Sequence, residues 1–352
     1  MSRVAVAMSG GVDSAVAAAL CLEAGHEVFG VTAKLGGALA SGSGCCGAPS
    51  DLLEARRACE KLGLAHYVVD LAECFESTVV APFIDEYLRQ RTPNPCVECN
   101  RTLKFGRLLE LCAAWKADYL ATGHYARLER GEDGVRLLRG ADPEKDQSYF
   151  LCRLGVRELS RALFPVGALS KEEVRAKARS LGLANADHAE SMEICFVPGG
   201  DYRTFLRARR GDGAFQEGEI RDLQGRLLGR HRGLPAYTIG QRRGLGLSSK
   251  KPLYVAGLDG TTNTLLVGTA EETLKKVFTT GPASWTRAPV AGPAGVRVRH
   301  RGRVLDAVLV ALDGGRMRVE LSAGERAVCP GQTAAFCRGD EVLGGAAIEE
   351  VQ

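Results

Sequence analysis

Val4-Ala5-Val6-Ala7-Met8-Ser9-Gly10-Gly11-Val12-Asp13-Ser14 opens the chain and decides how its first half is read. Val4–Met8 is a short apolar run, the pattern of a strand buried on both faces. Two glycines follow at once. Ala15–Glu23 is then alanine-rich and apolar until Gly25 stops it, which predicts a helix. A strand that turns through glycines into a helix points unpaired N–H groups and a positive dipole end at whatever lies in the turn. Ser9 and Ser14 add hydroxyls, so the turn suits a pyrophosphate-like anion. It lacks the lysine of a Walker A loop and is not GxGxxG. Asp13 beside phosphates makes sense with a Mg²⁺ ion between them. Glycine and serine also suit a plain strand-to-helix turn, but the whole hexapeptide in this position favours the anion site.

Working outward, Glu27–Ala33 and His66–Leu71 read as strands, Leu52–Leu62 as a helix, and Gly36–Ala48 as a glycine-punctuated loop. Thr78–Arg91 is helical until Thr92-Pro93-Asn94-Pro95 breaks it, Leu103–Trp115 resumes a helix, and Tyr119–Thr122 is a strand. This alternation predicts an α/β fold with a doubly wound parallel sheet, which binds nucleotides beyond the carboxyl ends of its strands. Ser170 and Glu173 frame a capping box for a helix ending near Leu181. After about Phe205 glycine and arginine rise. From Val296 the stretches VRVRHRGRVLDAVLV and RMRVELS alternate as strands of a small C-terminal β-barrel do. The expected domains are 1–205, 206–275 and 276–352.

The chain has 352 residues with 45% hydrophobic and 25% charged, an ordinary globular balance. Its net charge of +4 says less than its distribution. Asp201 to Lys250 holds 11 Lys/Arg against 5 Asp/Glu, and Arg287 to Arg303 holds five arginines and no acid. Such segments can face phosphates or simply be solvated. No run approaches a membrane span and the start does not read as a signal peptide, so a cytoplasmic location without membrane partners is expected. The 12 cysteines are then thiols, ligands or catalysts rather than a disulfide framework.

Cys96 and Cys99 form a CxxC directly after the proline break, and Cys195 precedes the Gly199-Gly200 turn. They could be nucleophiles, sulfur carriers or metal ligands. Cys21, Cys59, Cys74, Cys112, Cys152, Cys329 and Cys337 sit in apolar stretches and read as core. Cys45 and Cys46, in the glycine loop, stay undecided. His124 and Asp118, near the Ala121–Tyr125 strand end, could be catalytic, but such residues more often line a nucleotide site, and they are read so here.

SGGVDS at Ser9–Ser14 resembles the PP-loop ATP pyrophosphatases, with the adenine nucleotide α-hydrolase-like fold. The chain is similar over nearly its whole length to the tRNA-specific 2-thiouridylases within that superfamily. The marks are RTPNPCVECNRTLKF at Arg91–Phe105, ATGHYAR at Ala121–Arg127, KDQSYFL at Lys145–Leu151, EICF at Glu193–Phe196 and YTIGQRRGLG at Tyr237–Gly246. The resemblance implies a PP-loop domain, a small central tRNA-contacting domain and a C-terminal β-barrel. It implies ATP contacts at Ala7, Met8, Ser9, Gly10, Gly11, Val12, Asp13, Ser14, Ala33 and Gly123. It makes Cys99 the first catalytic cysteine and Cys195 the persulfide carrier. Asn94, Pro95 and Cys96 would touch the target base, Lys145, Asp146 and Gln147 the tRNA, and Arg299 and His300 would lie where barrel and tRNA meet. Position 96 is commonly Asp in the family, and position 33 commonly Met.

The implied reaction is ATP-dependent 2-thiolation of the tRNA wobble uridine, by adenylation of the C2 oxygen and sulfur delivery. ATP, Mg²⁺, tRNA and an upstream sulfur-donor protein or sulfide source are the expected cofactors and partners. The extra Cys96 raises a second route, in which Cys96, Cys99 and Cys195 hold a [4Fe–4S] cluster that presents sulfide. A PP-loop amide synthetase would explain the glycine loop but not the cysteines. A cluster-carrying tRNA-binding protein without ATP chemistry would explain the cysteines but not the loop.

Overall fold

The computed structural model describes residues 1–36, 49–186 and 194–352. Cys45, Cys46, most of the Gly36–Ala48 loop and Glu193 of the EICF motif lie outside the described residues. The first domain carries strands β1 (Arg3–Ala7), β2 (Glu27–Lys34), β3 (His66–Asp70), β4 (Tyr119–Ala121), β5 (Ala126–Gly131), β6 (Gly134–Arg139) and β7 (Ala162–Leu163). Five form a parallel sheet in the order β3-β2-β1-β4-β7. The chain winds one way from β1 to β3 and the other way from β4, so the switch point lies between β1 and β4, where the glycine turn follows β1.

Alternation along β1 splits the core into two layers. Val4 and Val6 face helix α1 (Val12–Glu23), helix α2 (Pro49–Lys61) and the helix Lys171–Ser180. Ala5 faces the helices between Ala72 and Ala114. The alanines of α1 are almost wholly buried, because their small side chains let the helix lie close to the sheet. Full burial of a Val or Leu side chain contributes about 1.5–3 kcal/mol, so these layers supply most of what holds the domain.

One expectation is corrected here. The second helix of the cysteine motif begins at Pro95 rather than Leu103, and runs on through a π-helical segment, Cys99–Leu108, to Ala114. Proline costs nothing at the first helical position, and the Asn94 side chain accepts the Val97 N–H at 3.3 Å. The CxxC therefore sits on a helix, where cysteines three apart share a face.

The central domain pairs Tyr254–Asp259, Thr264–Gly268, Gly218–Asp222 and Leu227–His231 in that order. Six antiparallel strands between Lys275 and Val351 close a barrel through the pairing of Phe278 with Val351. VRVRHRGRVLDAVLV is two of these strands, Gly292–Arg297 and Leu305–Ala311, joined by a turn. The domains are stitched together. The β5–β6 hairpin extends the barrel strand Glu341–Val351. Thr92 N–H donates to the Pro330 carbonyl at 2.8 Å. Arg209 and Arg210 pair with Glu76 and Asp85 of the first domain. Part of the basic 201–250 segment is thus spent on docking, while Arg230, Arg232, Arg242, Arg243 and Lys250 remain exposed. No helix among the described residues is long and apolar enough to cross a membrane.

Candidate active site

The glycine turn is held by its own serines. The Ser14 hydroxyl donates to the Gly11 carbonyl at 2.9 Å and accepts the Ser9 N–H at 3.2 Å. Gly10 has φ +81°, and a Cβ there would lie 2.6 Å from the Asp51 carbonyl oxygen. Gly123, after β4, packs so closely that a Cβ would lie 2.6 Å from the Asp13 carbonyl carbon. The two loops of the switch point thus meet. Above them is a cavity of about 350 Å³ lined by Ala7, Met8, Ser9, Asp13, Ser14, Ala33 and Gly123, with Thr122 and His124. Gly10, Gly11 and Val12, also expected at ATP, form the turn beneath it, and Val12 is buried in the core.

Asp13 differs from its sequence reading. Its Oδ1 accepts the Tyr125 hydroxyl at 2.7 Å, and both its oxygens accept Lys171 Nζ, at 2.7 and 2.9 Å. A protein cation, the Lys171 ammonium, thus lies against the carboxylate beside which the sequence suggests Mg²⁺. A carboxylate so engaged is not an open metal ligand, and no group of three His, Cys, Asp or Glu side chains among the described residues is spaced to hold a metal ion.

A second cavity, about 510 Å³, is lined by Pro95, Cys96, Cys99, Lys145, Gln147, Cys195 and His300. It shares Leu35, Lys104, His124, Gln147 and Cys195 with the first. Cys99 and Cys195 are half-buried and Cys96 exposed. Glu98, between the two cysteines of the motif, holds Arg101 at 2.7 Å and also pairs with Arg153, which fixes the helix turn carrying Cys99. Elsewhere burial makes thiols inert: it pushes Cys21, Cys112, Cys152 and Cys329 up to about 12, and Cys59 and Cys337 to about 11.

Three residues expected at the tRNA do not line this cavity. Asn94 caps the cysteine helix. Asp146 is 3% exposed. Burial raises its pKa, but hydrogen bonds from Ser148, Arg297 and the Gly140 N–H outweigh it and hold the carboxyl below its ordinary value. Arg297 reaches it at 2.9 Å and Arg139 at 3.3 Å, a buried tie between barrel and first domain. Arg299 bonds Glu325 at 3.1 Å and the Arg326 carbonyl at 3.0 Å. His300 does line the cavity, its ring 4.2 Å from that of Phe150.

His124 sits on the shared wall. Burial, then the Lys104 charge, pushes its pKa well below the usual histidine value, so the ring is neutral. The Thr122 hydroxyl meets its Nδ1 at 2.7 Å. Asp118 is not at the site: its Oδ2 accepts the Arg3 N–H at 2.8 Å, which ties β4 to β1. Sequence reading missed Lys171, Tyr125 and Arg301. Tyr125 lay inside a quoted motif, but Lys171 gives no local sign beyond the cap preceding it.

Residues 2–199 match the family described as tRNA methyl transferase HUP domain. Residues 203–269 match tRNA methyl transferase PRC-barrel domain, and 275–348 Aminomethyltransferase beta-barrel domain. A Chloroflexus aurantiacus protein named tRNA-specific 2-thiouridylase MnmA is 49% identical over 352 residues, covering 98% of each chain. The chain belongs to the tRNA-specific 2-thiouridylases. A Geobacter metallireducens 2-thiouridylase is 45% identical, covering 99% of this chain and 96% of that one. The domain descriptions speak of methyl transfer, but identity over the full length is the more specific finding. As a 2-thiouridylase the chain is a sulfurtransferase, which gives half-buried thiols beside a nucleotide-type turn a chemical reason.

Proposed function

We propose that the enzyme adenylates the C2 oxygen of the wobble uridine of tRNA with ATP and replaces that oxygen with sulfur carried on Cys195. The observation that carries this reading is the shared wall. Lys104, His124, Gln147 and Cys195 border both the cavity over the glycine turn and the cavity with Cys99. An α-phosphate in the first and a flipped-out base in the second would meet there.

The uridine C2 oxygen attacks the α-phosphorus of ATP, the bond to the β-phosphate bridging oxygen breaks, and pyrophosphate leaves towards the N-terminus of α1 while the base loses its N3 proton. A persulfide on Cys195, loaded by a sulfur-donor protein, attacks C2 through its terminal sulfur. The C2–O bond breaks and AMP departs with that oxygen. Cys99 thiolate then attacks Cys195 Sγ, which frees the thiolated base and leaves a Cys99–Cys195 disulfide for an external thiol to reduce. Lys104 favours thiolates by its charge. The neutral His124 can hydrogen-bond the base without adding charge.

In this reading Ala7, Met8, Ser9, Asp13, Ser14, Ala33 and Gly123 surround ATP, with Gly10, Gly11 and Val12 shaping the turn. Pro95, Cys96, Lys145, Gln147 and His300 face tRNA. Asn94, Asp146 and Arg299 act by holding them. Cys96 keeps the cluster route in view because it faces the same cavity. The steps above use the persulfide route alone. Anaerobic purification, iron assay and thiolation by Cys96→Ser separate the routes. An iron-free, active wild type and an active Cys96→Ser support the persulfide route, whereas iron-dependent thiolation lost in Cys96→Ser overturns it.

A further inference from the structure

The phosphate loop has no lysine of its own, yet an ammonium stands behind it. Lys171 Nζ lies 2.7 and 2.9 Å from the two oxygens of Asp13. The Lys171 side chain is 7% exposed and that of Asp13 29%. Only Asp13 of the pair reaches the nucleotide cavity. The carboxylate thus touches both the buried cation and the space over the turn.

That cation is placed with care. Lys171 is the first residue of its helix, and the Ser170–Glu173 capping box fixes the helix start at 2.7 and 3.2 Å. Its own N–H donates to Asp142 Oδ2 at 3.1 Å. The Tyr125 ring lies 5.7 Å from Nζ. Beyond the same helix, buried Asn185 donates to the Gly10 carbonyl at 2.7 Å. One helix and its exit therefore grip both ends of the loop, at Gly10 and at Asp13. Stability alone is a poor reason for such a pair, because a buried ion pair is often no better than well-packed apolar residues.

We propose that Lys171 is the phosphate-neutralising cation of adenylation, held on Asp13 in the nucleotide-free enzyme and shared with the β- and γ-phosphates when ATP binds. This rests on the ATP reading above. The leaving pyrophosphate gains negative charge as its bond to the α-phosphorus breaks, and a fixed cation there stabilises the transition state more than the ground state. Asp13 keeps its Tyr125 hydrogen bond while the ammonium is shared. Lys171 forms no covalent bond and transfers no proton.

The test titrates full-length wild type, Asp13→Asn, Lys171→Met and Asp13→Asn/Lys171→Met with inorganic pyrophosphate and, separately, with AMP. The decisive comparison is Asp13→Asn with the double variant. The double variant leaves neither charge of the pair buried alone, whereas Asp13→Asn keeps the buried ammonium without its carboxylate, so circular dichroism checks the fold of both before they are compared. The expected result is pyrophosphate affinity at least about tenfold weaker in the double variant, with AMP affinity unchanged within about twofold. Equal pyrophosphate affinity in these two proteins, with AMP still bound, overturns the proposal and leaves Lys171 a staple between helices. Wild type that binds neither AMP nor pyrophosphate instead overturns the ATP reading itself.

Discussion

The phosphate loop and the cysteine cavity share a wall, but the chain builds them in opposite ways. The loop is local: one strand, two glycines and one helix start within Ser9–Ser14, closed by Ser14 on Gly11 at 2.9 Å. The cavity is assembled from the helix at Pro95, the Lys145–Phe150 segment, the Ile194–Phe196 segment and the barrel turn at His300. The loop keeps its geometry through its own backbone and through first-domain partners, Gly123, Lys171 and Asn185. A composite site depends on the ties between domains. Changes at the two should therefore fail differently.

The largest effect belongs to the composite site. In a single turnover of persulfide-loaded enzyme without added thiol, Cys99→Ser should lower release of thiolated tRNA by more than about a thousandfold and trap tRNA as a disulfide-linked adduct on Cys195. Electrophoresis with and without dithiothreitol reads this out. Normal turnover without an adduct would remove Cys99 from the chemistry. Cys152→Ser, whose thiol burial pushes up to about 12, should not change the sulfur-transfer step in folded protein.

Next come the ties. Arg297→Ala leaves the Asp146 carboxylate buried without its 2.9 Å partner and should cost about 3–5 kcal/mol in denaturant unfolding. A loss under about 1 kcal/mol would mean that the tie is not what seats the barrel. At the local site Gly123→Ala puts a methyl 2.6 Å from the Asp13 backbone. It should cost about 1–3 kcal/mol and weaken nucleotide binding more than tRNA binding. Equal loss of both ligands would contradict the separation of the two regions.

A smaller effect comes from the wall. His124 stays neutral when folded but takes a proton at about 6.5 once unfolded. Its contribution is therefore complete above pH 6.5 and lost as the solution is acidified towards the depressed folded value. Acidification below pH 6.5 should destabilise the wild type, and His124→Gln should flatten that limb of the stability curve. An unchanged curve would show that the ring is solvated in the folded protein. The smallest expected effect is on tRNA binding: Lys145→Ala should lower the salt slope by about one. A slope equal to wild type would take Lys145 off the phosphate backbone.

Legibility in the sequence followed the same division. The strand, turn and helix at Val4–Glu23 could be read from periodicity and glycine placement, and the structure has them at Arg3–Ala7 and Val12–Glu23. Cys99 and Cys195 were singled out by their motifs. Nothing in local pattern says that residues about a hundred positions apart face one cavity, or that it adjoins the nucleotide cavity. Asp146 shows the limit most clearly. A charged residue in a motif reads as exposed and ligand-facing, yet its partners Arg139 and Arg297 come from two domains and draw it inside. Lys171, 158 residues from Asp13, was invisible for the same reason.

The most direct measurement is tRNA-dependent turnover of ATP labelled in its α-phosphate by Cys195→Ser beside wild type. The shared wall, with adenylation preceding sulfur transfer, predicts that the variant still releases pyrophosphate with tRNA present and holds the label as adenylated tRNA, without making thiouridine. Loss of pyrophosphate release together with thiolation, in a variant that still binds ATP and tRNA, would contradict that order and the separation of the two chemistries across the wall.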